Sequence, residues 1–170
     1  MPISYVEELA SEYYRLSGYF TQRDYHYRRE IIKEGKGRGW RDIDILAVNA
    51  NEVLIIECKA QVRESGLPKK IIEDMKHATK EISKINLLKG KTIRKILVYD
   101  SVRSVGKQVI EVKKAGIDVV DLQDIVKKML IILNIRKSEN NENLGKEENV
   151  ATRTLLAMLD WDLIKSDLTE

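Results

Sequence analysis

The sequence predicts an α/β fold, a mixed β-sheet flanked by helices, and three features carry that expectation. Two segments, from Tyr5 to Ser17 and from Ile71 to Ile85, repeat apolar residues at steps of three and four, the period of a helix with one buried face. Val53-Leu54-Ile55-Ile56 is a nearly continuous apolar run of strand length, as expected for a central strand covered on both faces. Beyond it, helical periods alternate with short β-branched runs, the order of strands joined by helical crossovers.

The first helix is expected to begin after Ser4, whose hydroxyl suits an N-cap. It carries Val6, Leu9, Ala10, Tyr13 and Leu16 along one face and stops before Gly18. Tyr19 to Lys33, rich in aromatic and β-branched residues, reads as a strand. Gly35-Lys36-Gly37-Arg38-Gly39 then breaks the chain before a second strand over Ile43 to Val48. Asn49-Ala50-Asn51-Glu52 is a turn, so the Val53–Ile56 run folds back on the second strand and completes a three-stranded meander.

Past Gly66 and Pro68, Ile71, Met75, Ala78, Ile82 and Ile85 define a second helix, with Lys69, Lys76, Lys80 and Lys84 away from its apolar stripe. Ile93 to Tyr99 is a strand. Val102, Val105, Val109 and Val112 predict a third helix ended by Gly116, followed by a short strand over Ile117 to Val120 and a fourth helix over Leu122 to Leu133. Residues 1–135 then make one domain and residues 136–150 a polar linker. Residues 151–170 form an amphipathic segment whose Leu155, Leu156, Trp161 and Leu163 need a surface to dock on, either the domain or a second subunit.

Composition narrows the class. A chain of 170 residues, 43% hydrophobic and 34% charged with two prolines, suits one globular domain. The single cysteine, Cys58, excludes an intrachain disulfide and a thiolate cluster for zinc or iron and sulfur. No basic region followed by an apolar run opens the sequence, and no apolar stretch approaches the length of a bilayer. A cytoplasmic protein without a membrane partner is therefore expected. The net charge is only +3, but bases exceed acids between Gln61 and Lys114 while the chain from Ser138 onward is acidic, an asymmetry that suits a basic face on nucleic acid. His26 and His77 form no ligand pattern.

Chemistry concentrates on two strands. Side chains alternate faces along a strand, so Glu57 and Lys59 project together from the end of an otherwise apolar run. Such placement costs desolvation unless the two groups pair or bind something; the plain alternative is that the strand emerges into solvent at Glu57. Asp44 interrupts the apolar alternation of the preceding strand, which the short turn folds back alongside. Two carboxylates can then meet, and with the Cys58 carbonyl they suit a hard cation such as Mg²⁺, with Mn²⁺ as a substitute. A neighbouring Lys59 ammonium can orient the attacking water, help deprotonate it, and stabilise added charge on a phosphate.

The wording Asp42-Ile43-Asp44-Ile45-Leu46-Ala47 followed by Leu54-Ile55-Ile56-Glu57-Cys58-Lys59 resembles the PD-(D/E)xK nuclease superfamily, in particular its Holliday-junction resolvase and Mrr-type branches. The motif stands here as Asp44, twelve intervening residues, then Glu57-Cys58-Lys59, and the resemblance runs from the first helix through the second. It implies a restriction-endonuclease-like fold, an αβββαβ core with a further αβ unit, and Mg²⁺-dependent cleavage of DNA. Cutting of junctions or branched DNA in repair or recombination is favoured over sequence-specific restriction, and a homodimer would supply the two scissions that a junction needs.

The same resemblance places a glutamate on the first helix eleven residues before a glycine, a spacing that Glu7 and Gly18 fit, and implies that Glu7 helps hold the metal or its water. Two departures stand out. The proline usual before the first acid is absent, and Asp42 and Asp44 share a strand face, so either could be the ligand; Asp44, next to the apolar run, is favoured. Gln61 would join the face of Glu57 and Lys59 if the strand continues. Lys36, Arg38 and Arg41 have the glycines and bases of a phosphate-binding loop around them but lack its Gly-Lys-Ser/Thr ending, which leaves them as contacts to a DNA backbone or as a solvated hairpin tip. The non-enzyme alternative is a module of this fold that binds nucleic acid without cutting it.

Overall fold

The computed structural model describes residues 4–28, 40–138 and 150–160. Helix α1 (Tyr5–Leu16) opens at Ser4, which has the extended backbone of a cap but makes no capping bond through its hydroxyl; Glu7 and Glu8 in the first turn complement the helix dipole instead. The helix stops at Gly18, whose φ of +89° a side chain would resist, and the amides of Gly18 and Tyr19 turn back to the carbonyls of Arg15 and Tyr14.

Three strands follow as an antiparallel meander: β1 (Phe20–Arg28), β2 (Trp40–Val48) and β3 (Glu52–Lys59). The Asn49 side chain makes the tight β2–β3 turn, its Oδ1 accepting the amides of Asn51 at 2.8 Å and Glu52 at 2.9 Å. Helix α2 (Leu67–Ile82) crosses to β4 (Thr92–Tyr99), parallel to β3, and α3 (Gly106–Lys114) crosses to β5 (Asp118–Asp121), parallel to β4. The sheet order is β1-β2-β3-β4-β5, a mixed sheet, and α4 (Leu122–Ser138) and α5 (Val150–Asp160) complete the described elements.

Alternation along β3 sorts the two cores. Leu54, Ile56 and Cys58 pack with Val6, Ala10 and Tyr14 of α1 and with Ile125, Met129 and Leu133 of α4. Val53 and Ile55 point the other way, against Ala78 and Ile82 of α2, while Ile71 and Met75 of the same helix join Leu97, Val109 and Val112. The central strand is thus covered on both sides, which is why its sequence is apolar at nearly every position.

Several boundaries differ from expectation, each for a local reason. The second helix ends at Ile82, and Ile85 leads into a 3-10 turn (Asn86–Leu88) while still packing on the core. The third helix does not include Val102 and Val105, which are 74% and 42% exposed. Asp100 takes the Val102 amide on its side chain and caps a 3-10 turn (Ser101–Arg103), and the Val105 amide reaches the Val62 carbonyl at 2.9 Å, so the α-helix starts only at Gly106. The fourth helix continues to Ser138, into the stretch expected as linker, with Arg136 donating to the Leu16 carbonyl. Residues 29–39, 139–149 and 161–170 lie outside the described residues, and with them the end of the expected first strand, Lys36, Arg38, Trp161 and Leu163. No described helix is long and apolar enough to cross a membrane.

The described part of the C-terminal segment docks on the domain. Leu155 enters the α1–α4 core, and Thr152, fully buried, donates its hydroxyl at 2.7 Å to Glu12, itself 3% exposed. Glu12 therefore belongs to the interior rather than the surface, and Arg15 grips its two oxygens at 2.6 and 2.9 Å. Removing the hydroxyl in Thr152→Val costs about 1–3 kcal/mol, because a buried carboxylate loses a donor. Urea unfolding should show a lower midpoint at unchanged slope, whereas an unchanged midpoint would mean that this bond does not anchor α5.

Candidate active site

The β2–β3 ladder runs from Val48↔Val53 to Ile45↔Ile56 and then parts. Asp44 is the first β2 residue beyond that point, and its carboxylate fills the gap. Its Oδ2 accepts the Cys58 amide at 2.7 Å, taking the role of an absent ladder carbonyl, and the Lys59 ammonium at 3.3 Å. Because Glu57 and Lys59 follow Val53 and Ile55 in the alternation of β3, both project toward α2. The Lys59 Nζ pairs with Glu57 Oε1 at 2.6 Å and donates to the Cys58 carbonyl at 3.0 Å.

Two carboxylates and one carbonyl oxygen thus converge on a single cation. Each charged side chain keeps part of its surface in solvent, 16% for Asp44, 17% for Glu57 and 28% for Lys59, so the cluster is sheltered but reachable. It opens into a cleft of about 180 Å³, to which the sheet contributes Arg41, Asp42, Asp44, Glu57 and Lys59, and α2 contributes Leu67, Lys70, Ile71 and Asp74.

Asp44, Glu57, Lys59 and the Cys58 carbonyl come together as expected, and Arg41 lies beside them. Asp42 also lines the cleft, but Asp44 is the acid in contact with Lys59 and Cys58. The Cys58 thiol lies buried on the other face of the sheet, and burial pushes its pKa well up, so this residue offers its backbone and not a thiolate. Glu7 approaches from the α1 layer and does not line the cleft. Burial raises its carboxyl first, and the Asp44 and Asp24 carboxylates raise it further, which places it within electrostatic reach of Asp44.

Gln61 does not join the site. Strand β3 ends at Lys59, and the chain turns so that Val62 drops into the α2–α3 core with its amide on Ser104 Oγ at 2.9 Å, leaving Gln61 exposed. Lys70 and Asp74 were not anticipated. They sit one residue before and three after Ile71 of the apolar stripe, so a helix that packs back over the end of β3 brings both to the cleft, a signal present in the spacing.

Burial pushes the Glu57 carboxyl up to about 7; the Lys59 ammonium opposes this, and the Asp44 and Asp74 carboxylates add to it. Burial works against the Lys59 charge, yet Glu57 and Asp44 outweigh it and push that pKa up. Among the described residues no group of three or more His, Cys, Asp or Glu side chains is arranged to hold a metal ion. Two carboxylates and a carbonyl around one cation nevertheless fit a hard divalent ion that keeps several of its waters.

The electrostatics set a pH dependence. Glu57 binds its proton more tightly folded than unfolded, so its contribution to stability is full below its ordinary value of 4.5 and is lost as the pH rises through about 7. In metal-free buffer the melting temperature of the wild-type chain should fall across that window relative to Glu57→Gln, which carries no such charge. Parallel curves for the two proteins would show that Glu57 is not held in a costly environment.

No protein-family model matches the chain, and no curated protein matches it either. Among solved structures, protein VC1899 from Vibrio cholerae is similar at a TM-score of 0.45 and 17% identity, over 71% of this chain and 29% of that one. A protein of unknown function, AF1548, is similar at a TM-score of 0.48 and 13% identity, over 92% of this chain and 96% of that one. The chain spans less than a third of the Vibrio cholerae protein, and neither likeness bears on what the cleft does.

Proposed function

We propose that this chain is a PD-(D/E)xK-type endonuclease that hydrolyses DNA phosphodiester bonds with Mg²⁺, acting on branched or junction DNA in repair or recombination. The observation that carries the reading is the convergence of Asp44, Glu57 and the Cys58 carbonyl on the Lys59 ammonium at the point where β2 and β3 part. Asp44, Glu57 and the Cys58 carbonyl would hold Mg²⁺, or Mn²⁺ in its place. Such an ion, when bound, makes its water more acidic and offsets charge on the phosphate.

The remaining roles belong to the chain itself. Without a metal, Glu57 and Asp44 push the Lys59 pKa up, which makes Lys59 a positive charge and hydrogen-bond donor that would orient the attacking water and offset charge on the phosphate. Its three donors would let it exchange the contacts to Glu57 and the Cys58 carbonyl for a phosphate oxygen. Glu7, raised by burial and close to Asp44, can accept a proton at its carboxylate. Arg41 in the cleft, with Lys36 and Arg38 of the neighbouring segment, would meet backbone phosphates, and a second copy of the chain would supply the second cut across a junction.

Incubation with branched, single-stranded and duplex DNA in Mg²⁺, Mn²⁺ or EDTA tests this. Cleavage should require a divalent ion and should fall by about 10²-fold or more in Glu57→Ala and in Lys59→Ala, with DNA binding kept. Unchanged cleavage by Glu57→Ala would assign the activity to a contaminant. Binding without cleavage of any substrate would make the chain a nucleic-acid module that does not cut.

A further inference from the structure

Strands β1 and β2 hold one register from Phe20↔Val48 to Arg28↔Trp40, and the paired positions skip Asp24, the residue that stands across from Asp44. Asp24 is also the only non-glycine among the described residues with a positive φ, 50°. That conformation is unfavourable for any residue with a Cβ, least so for Asp and Asn. In a regular ladder the two carboxylates would face each other across the strands at about 5 Å, a like-charge pair.

Asp44 therefore lacks a regular partner on both sides: the β2–β3 ladder has ended at Ile45↔Ile56, and β1 steps out of pairing at the same level. Its carboxylate lies in the gap toward β3, on the Cys58 amide and the Lys59 ammonium. We propose that the left-handed backbone at Asp24 is a positioning device for Asp44, opening the β1 side of the ladder so that the Asp44 carboxylate can occupy the fork beside Cys58. The proposal rests on the reading of Asp44 as a metal ligand given above. Asp24 is not itself cast as a ligand. What matters is the backbone conformation, and aspartate is one of the few residue types that adopts it at low cost.

The role can be separated from a merely structural one, because a β-branched residue at this position should favour regular pairing. Asp24→Gly and Asp24→Asn admit the left-handed conformation and should keep wild-type Cys58 amide exchange and Mg²⁺ affinity, although both remove a carboxylate that raises Glu7. Asp24→Val demands extended backbone and should restore the ladder across from Asp44. In the valine variant the Cys58 amide should exchange faster with solvent and Mg²⁺ affinity should drop about 10- to 100-fold, with the melting temperature unchanged or higher. Asp24→Ala resists the left-handed region without adding bulk, and provides the same comparison should the valine variant fail to fold.

The proposal is overturned if the valine and alanine variants keep wild-type Cys58 exchange, if the glycine variant loses what the valine variant loses, or if affinity falls only in step with stability. Should the wild-type chain bind no Mg²⁺ and cut no DNA, the nuclease reading fails. The Cys58 exchange rates would still decide whether Asp24 positions Asp44.

Discussion

Where two antiparallel strands stop pairing, backbone donors are left without acceptors, and the site depends on how this chain meets that need at the end of β2 and β3. A carboxylate does so here: Asp44 accepts the Cys58 amide from within the fork. The bond fixes the Asp44 side chain by a constraint of main-chain satisfaction, not by packing alone. Once Asp44 is fixed, the alternation of β3 brings Glu57 and Lys59 beside it without further adjustment of the backbone. The placement of all three groups therefore follows from the β2–β3 pairing stopping at Ile45↔Ile56 while both strands continue.

The resulting cluster is held at a cost in stability. Glu57 lies under α2 in a place that favours its neutral form, and the Asp44 and Asp74 carboxylates make the charged form less favourable still. Lys59 compensates in part, and its own charge is secured in return. The cluster thus carries an excess of carboxylate over ammonium, sheltered yet open to solvent, and is not a balanced ion pair.

Much of this was legible in the sequence because the strands and helices obey simple periods. The apolar run at Val53–Ile56, the stripe from Ile71 to Ile82 and the turn at Asn49–Glu52 led to the meander, the mixed sheet and the meeting of Asp44 with Glu57 and Lys59. What escaped depends on tertiary partners. Val102 and Val105 have helical spacing, but side-chain and backbone bonds from Asp100 and to Val62 override it. Glu12 looks like one more acid of a surface helix until Thr152 arrives from the far end of the chain. The left-handed turn at Asp24 has no marker in a sequence that gives glycine no part there, and Gln61 was lost to the pull of Val62 on the end of the strand.

The pairing of Thr152 with Glu12 joins residues 140 positions apart. A nascent chain emerges from the ribosome N-terminus first, so α1 and the sheet it covers are available long before the hydroxyl that serves their buried carboxylate. Until then Glu12 lacks this donor, while Arg15 of its own helix already holds its two oxygens. The face of the molecule that carries α1 can thus close only after residue 152 has emerged, and a ribosome that stalls before that point would leave the sheet assembled and this side without its α5 cover.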